Sequence, residues 1–187
     1  DYYASRGLGD VYKRQREGMV FEIEKSLSGI AHNLISIYNV LDAGDFSQKD
    51  DRVYKGETEI TSDYRILDDI KNDTGADVTV FVGDERCLTT LVDKKGNRLV
   101  GSHIDKEVAS QVIEDGEEYF SQNVDVMGVR YFGYYVPIRN DENEVVGVCF
   151  AGESAESVNT SMRFMTQGNV IILSLIHISE PTRRVVI

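Results

Sequence analysis

The spacing of apolar residues changes near residue 76, and that change restricts the chain to a long helix first and a sheet afterwards. Val20, Ile23, Leu27, Ile30, Leu34, Ile37 and Leu41 follow one another by threes and fours, a heptad seam on a single helix. Such a seam serves one of two ends: it lies on the sheet of its own domain, or it pairs with a second copy in a parallel dimer. From Asp77 the interval becomes two. DVTVFV turns Val78, Val80 and Val82 to one face and Phe81 to the other; Gly83-Asp84 reverses the chain, and residues 86–92 (RCLTTLV) return as the hairpin partner. Three further strands are expected at residues 119–127, 130–138 (RYFGYYVPI) and 144–151 (EVVGVCFA), with turns at Gly128 and over residues 140–143.

Residues 42–59 (DAGDFSQKDDRVYKGETE) are polar and acidic without a period and read as a connecting loop; they lack the ligand spacing and turn glycine of a calcium-binding loop. A second helix is expected over residues 63–72, capped by Thr61 or Ser62 and closed by Thr74-Gly75. A short third one, over residues 105–114, stops at Gly116. This order predicts an α+β domain of PAS-like shape, a long N-terminal helix packed on a five-stranded antiparallel sheet with the helices on one side and a C-terminal helix closing it. Residues 153–172 end on the apolar run Asn169-Val170-Ile171-Ile172, read either as the end of an amphipathic closing helix or as the first turn of a membrane span needing ~20 apolar residues.

The two ends carry a different message. Codons can be assigned so that residues 1–15 and 173–187 are reverse complements, Gln15 with Leu173 outward to Asp1 with Ile187. The inner part, GATGTGTATAAGAGACAG, resembles a transposon-end adapter of sequencing libraries, so both ends read as translated adapter, outside any argument about folding. The remainder divides into a long N-terminal helix at 16–46, a domain at 47–154, and a C-terminal helix at 155–172 leading into a truncated membrane span. Without its ends, the net charge of −12 becomes −14. An acidic surface of that size argues against nucleic acid, which is bound by neutralising phosphates with Lys and Arg. Cys87 and Cys149 form no CxxC motif, which leaves either two free thiols or one disulfide. No nucleophile with a spaced His and acid and no phosphate-cradling glycine loop is present, so an enzyme is not expected, and neither is a cofactor or metal.

The segments TGADVTVFVGDERCLTTL, GNRLVGS, DGEEYF and GVRYFGYYVPIRNDENEVVGVCFAGES, in that order over residues 74–154, resemble the single Cache sensor domains of bacterial methyl-accepting chemotaxis receptors. The resemblance implies a domain outside the cytoplasmic membrane, held between two membrane helices, that binds a small molecule on the concave side of its sheet. It also implies signalling by a small displacement of those helices, and a homodimer formed through the helix from Val20 to Leu41. A sensor domain of a histidine kinase or diguanylate cyclase, and a ligand-free PAS-like dimerisation module, are the alternatives.

An Arg and the residue three positions on lie in the pocket of that family, which carries over to Arg86 and Thr89. A straight strand sends these two to opposite faces, so a kink is needed, and Thr90 is the alternative partner. Arg86 can fork onto a carboxylate, ringed by hydroxyls; its other reading is an ion pair with Asp84 or Glu85 on a wet hairpin. The expected ligand is therefore a small anion or zwitterion, a carboxylate or an amino acid. Tyr131, Gly133 and Tyr135 share a strand face, and a glycine there suits a close approach either by a ligand or by a packed helix. Phe81 is a candidate wall.

Overall fold

The computed structural model describes residues 2–49 and 52–161, with side chains from Lys13 onward. Helix α1 spans Tyr2–Leu41, continuous through the junction at Arg16 and ending five residues before the expected limit. Its buried stripe is Leu27, Ala31, Leu34 and Tyr38, spaced four, three and four, and it lies across the sheet. Val20, Ile23, Ile30 and Ile37 flank that stripe half-buried. Each such Leu withdrawn from water stabilises the packing by about 1.5–3 kcal/mol. The seam is thus taken up mainly by the domain's own sheet, while Phe21, Val40 and Leu41 stay exposed.

The segment expected to be a loop instead forms a three-stranded antiparallel sheet of β1 (Phe46–Lys49), β2 (Arg52–Lys55) and β3 (Thr58–Glu59). The Asp42 carboxylate organises it. One oxygen accepts from Gly44 N–H at 2.9 Å; the other accepts from Glu57 N–H at 3.0 Å and from the Thr58 hydroxyl at 3.0 Å. Lys55 is buried beneath, donating to the Gly44 carbonyl with its ammonium 5.2 Å from the Phe46 ring centre. Gly44 N–H first and the Thr58 hydroxyl second hold the Asp42 carboxyl below its ordinary pKa. Protection of the Gly44, Glu57 and Thr58 amides from hydrogen exchange should therefore be full above about pH 3.9, the unfolded value, and fade as pH falls through the lowered folded one. Unchanged protection at acid pH would remove Asp42 from that role.

Helix α2 (Arg65–Thr74) begins two residues later than expected, because Asp63 accepts from the Arg65 N–H and grips its guanidinium at 2.7 Å, holding the chain in a turn. Gly75 closes it in the left-handed region at φ 78°, donating to the Lys71 carbonyl. The main sheet follows: β4 (Asp77–Val82), β5 (Glu85–Thr89), β6 (Tyr119–Val126), β7 (Val129–Arg139) and β8 (Val145–Ser154), in the order β5-β4-β8-β7-β6 and antiparallel throughout. Residues 155–161 are helical, and Ala155 and Val158 join the core beside α1. The apolar run proposed to enter a membrane lies outside the described residues.

Helices cover both faces of the sheet, not one. Val78, Val80, Phe132, Val136, Cys149 and Ala151 face α1 and α2 in one core. On the other face Phe81, Tyr135, Val148 and Phe150 meet Val108 and Val112 of α3 (Lys106–Ala109) and the π-helical turn after it (Ser110–Glu114). Val108 and Val112, four apart, are the apolar stripe that takes this short helix across the sheet. Cys87 and Cys149 are free thiols, the second fully buried and donating to the Ala31 carbonyl.

One buried group in the first core lacks a partner. The Tyr38 hydroxyl is enclosed without a hydrogen bond, and burial pushes its pKa far above the ordinary phenol value. Tyr38→Phe removes that unsatisfied group and keeps the edge-on contact with Phe46 at 5.3 Å. It should stabilise the domain by about 1 kcal/mol, read as a higher urea midpoint at unchanged slope. A loss of stability would show that the hydroxyl is satisfied, for instance by a buried water.

A candidate ligand cavity on the far face of the sheet

The decisive local feature is a bulge in β5. Val80 pairs with Leu88 and Phe81 with Arg86, so Cys87 is the extra residue and the strand kinks there. The kink turns Arg86 to the face of Phe81 and, beyond the bulge, Thr89 to the face of Thr79. The outer edge of β5 is closed by the loop that follows it. Arg86 N–H donates to the Ser102 carbonyl at 2.7 Å, Gly101 N–H to the Arg86 carbonyl at 2.9 Å, and Ile104 N–H to the Asp84 carbonyl at 2.9 Å. Arg98 ties that loop to α2, donating to both Asp68 oxygens at 2.9 and 2.7 Å and to the Thr89 carbonyl at 2.7 Å.

A cavity of about 210 Å³ opens between this loop, β4, β5 and the β6–β8 strands. Phe81, Tyr135 and Phe150 make its aromatic floor, with Tyr135 and Phe150 ring centres 4.9 Å apart. Ile104, Val124 and Val126 add aliphatic walls, and Arg86, His103, Asp105 and Asp125 supply charge and polarity. Arg86 forms no ion pair with any described carboxylate; Asp84, its expected partner, meets His103 at 3.3 Å instead. Its guanidinium carbon sits 5.3 Å from the Phe81 ring centre, and its Nε is buried with no hydrogen-bond partner. Burial pulls the Arg86 pKa below its ordinary value, opposed by the neighbouring Tyr135. A buried cationic donor without an acceptor is costly in an empty site and is satisfied when an anion arrives.

Phe81, Arg86 and Tyr135 therefore meet at one cavity; four other candidates do not line it. Thr89 lies beneath, wholly buried, its hydroxyl 2.7 Å from that of Thr79 and accepting from Leu91 N–H. Thr90 donates to Asp77 at 2.7 Å and accepts from Val78 N–H, so both hydroxyls are used within the fold. The Tyr131 hydroxyl also donates to Asp77, at 3.2 Å; burial first and that carboxylate second push its pKa up to about 12. Gly133 makes room for the domain itself, since a Cβ there would lie 2.6 Å from the Phe150 ring and 2.9 Å from Val124. Its cross-strand partner is Gly152, where a Cβ would lie 2.3 Å from the same ring, so the glycine pair is the bed of Phe150.

The sequence reasoning missed Asp105, Asp125, His103 and Phe150. Phe150 could have been found by parity, lying opposite Tyr135 and alternating with the buried Cys149. Asp105 and Asp125 look like turn residues, and both are: Asp105 caps α3 through Glu107 N–H at 2.9 Å, and Asp125 accepts from Gly128 N–H at 3.1 Å. A larger recess of about 360 Å³ between α1 and residues 153–161 is lined by Met19, Ile23 and Val158 beside Arg14 and Gln15. Part of its wall comes from the stretch that reads as adapter, and among the described residues it holds no buried unpaired donor. Among the described residues no cluster of three or more His, Cys, Asp or Glu could hold a metal.

Comparison with known proteins assigns the family. The family model described as single cache domain 3 matches residues 58–164. The chain belongs to the single Cache domain family. The crystal structure of the E. coli DcuS sensor domain shares its fold, with a TM-score of 0.56 and 13% sequence identity over 78% of this chain and 98% of that one. Among curated proteins none matches the chain. Cache domains are non-catalytic sensor domains, typically extracellular parts of membrane receptors that bind small molecules. In this Cache domain the cavity lies on the face of the sheet opposite α1, and no described helix is long and apolar enough to cross a membrane.

Proposed function

We propose that this Cache domain is the extracellular ligand-sensing part of a transmembrane chemoreceptor and binds a small carboxylate through Arg86. One observation carries the reading: a largely buried guanidinium on a cavity wall, with an orphaned Nε and no carboxylate of its own. The bound carboxylate completes the ion pair that the fold leaves open. Its signal passes through the sheet, because β8 carries Phe150 in the cavity floor and runs directly into the helical residues 155–161. Ligand-induced displacement of that helix relative to α1, both linked to membrane segments, is the output. A homodimer along Val20 to Leu41 uses the apolar residues that the sheet leaves open, Phe21, Val40 and Leu41.

The test is a thermal-shift screen of the whole chain against small carboxylates, since a ligand that binds only the folded state raises the melting temperature. A rise that disappears in Arg86→Ala supports the reading. No rise with any acid, or equal rises in both proteins, defeats it. Sequencing the source DNA beyond both ends tests the receptor architecture: a membrane helix on each side with a methyl-accepting coil identifies a chemoreceptor, and a kinase or cyclase output domain replaces that part of the proposal.

A further inference from the structure

Beyond Arg86, the walls of the cavity carry more negative than positive charge. Asp105 and Asp125 both line it, and each has one carboxylate oxygen engaged with a backbone N–H of its own turn. His103 is turned to Asp84 at 3.3 Å. Counting Arg86 as +1 and the two aspartates as −1 each, with His103 matched to Asp84, the lining has a net charge of −1. A monocarboxylate brings this to −2 and a dicarboxylate to −3, in a recess walled by Phe81, Ile104, Val124, Val126 and Phe150, where unpaired charge is poorly tolerated. A zwitterion leaves the net charge as it was and offers each wall its opposite.

We infer that the ligand is an α-amino acid with a small uncharged side chain, its carboxylate on Arg86 and its ammonium on Asp105 and Asp125. This rests on the carboxylate reading above and narrows it. The cavity volume of about 210 Å³ suits a molecule of that size, and its aromatic and aliphatic walls suit an apolar side chain. Asp105 sits at the start of α3 and Asp125 near the end of β6, so the ammonium bridges two elements that no described side-chain hydrogen bond joins at this point. The amine then ties the start of α3 to the end of β6, and Arg86 anchors the ligand to the sheet.

The test uses matched probes and calorimetry on the whole chain. The twenty amino acids are screened first; the best is then compared with its 2-hydroxy acid, its amide, and succinate, as with alanine, lactate and alaninamide. The amino acid should bind at least tenfold more tightly than each of the three, because each lacks one charged partner or adds a repulsive one. Asp105→Asn and Asp125→Asn keep the acceptors for Glu107 and Gly128 N–H and so keep the fold. Each should weaken the amino acid about tenfold or more while changing the 2-hydroxy acid by less than threefold. If the hydroxy acid or succinate binds as tightly as any amino acid, and Arg86→Ala abolishes that binding, the zwitterion inference falls and the carboxylate reading stands. Binding indifferent to Arg86→Ala, or no binding by any probe, removes both.

Discussion

Arg86→Ala is expected to lower ligand affinity by about thirtyfold or more without weakening the empty domain. Removing one partner of a desolvated, hydrogen-bonded ion pair costs about 2–5 kcal/mol of binding, because the carboxylate is left without its partner. The empty domain has no such pair to lose. In it Arg86 carries a buried Nε without an acceptor, and the side chain's favourable contact is with the Phe81 ring. Arg86→Met keeps an apolar stem over that ring and removes the charge, so the unliganded variant should be at least as stable as the parent, by up to about 1–2 kcal/mol in urea. Calorimetry and urea unfolding together separate the roles: lost affinity at unchanged stability marks a ligand anchor. If instead Arg86→Met unfolds at clearly lower urea, the guanidinium is part of the scaffold and the site lies elsewhere.

Gly147→Ala should be the most damaging single methyl in the domain. Gly147 lies at the end of the β4–β8 pairing, opposite Val82. A Cβ there would lie 2.2 Å from the Phe81 carbonyl oxygen and 3.5 Å from the Val82 Cα, main-chain atoms that no rotamer change can move aside. Overpacking of this kind costs about 3 kcal/mol, a fall of roughly 6–12 °C in melting temperature for a domain of this size. Because the atom displaced belongs to Phe81, ligand affinity should fall as well. Gly29→Ala on α1 is the control: nothing lies within 4 Å of its Cβ, and alanine in a helix gains about 0.5–1 kcal/mol. If the two variants unfold alike, the close approach of β8 to β4 is wrong.

The five main strands were legible because each combines a period of two with a turn signal at its end, and the observed strands begin and end within a few residues of those marks. Family and fold followed from the order of those segments. The β1–β3 sheet was not legible, since strands of two to four residues show no period and this sheet depends on Asp42, a carboxylate far along the chain from the Glu57 and Thr58 amides it holds. The seam on α1 was visible, but its register was not: Leu41 is solvent-exposed, and Ala31 and Tyr38, outside the heptad, lie against the sheet. The lining of the candidate cavity was half legible. Arg86 declares itself by chemistry and Phe81 and Tyr135 by size, whereas Thr89 and Thr90 look like free hydroxyls in the sequence and are spent on Thr79 and Asp77 in the fold. Asp105 and Asp125 gave no signal, because a turn aspartate reads the same in the sequence whether or not the fold sets it on a cavity wall.

The bulge at Cys87 makes the reading frame of a strand, and not only its letters, a determinant of what the protein recognises. Were Cys87 drawn into the ladder opposite Phe81, the same residues would set Arg86 opposite Val82, on the α1 side among apolar neighbours, and the cavity would lose its guanidinium. Related domains can therefore differ sharply in ligand through the pairing of one strand with its neighbour, a kind of change that comparisons restricted to substitutions do not register.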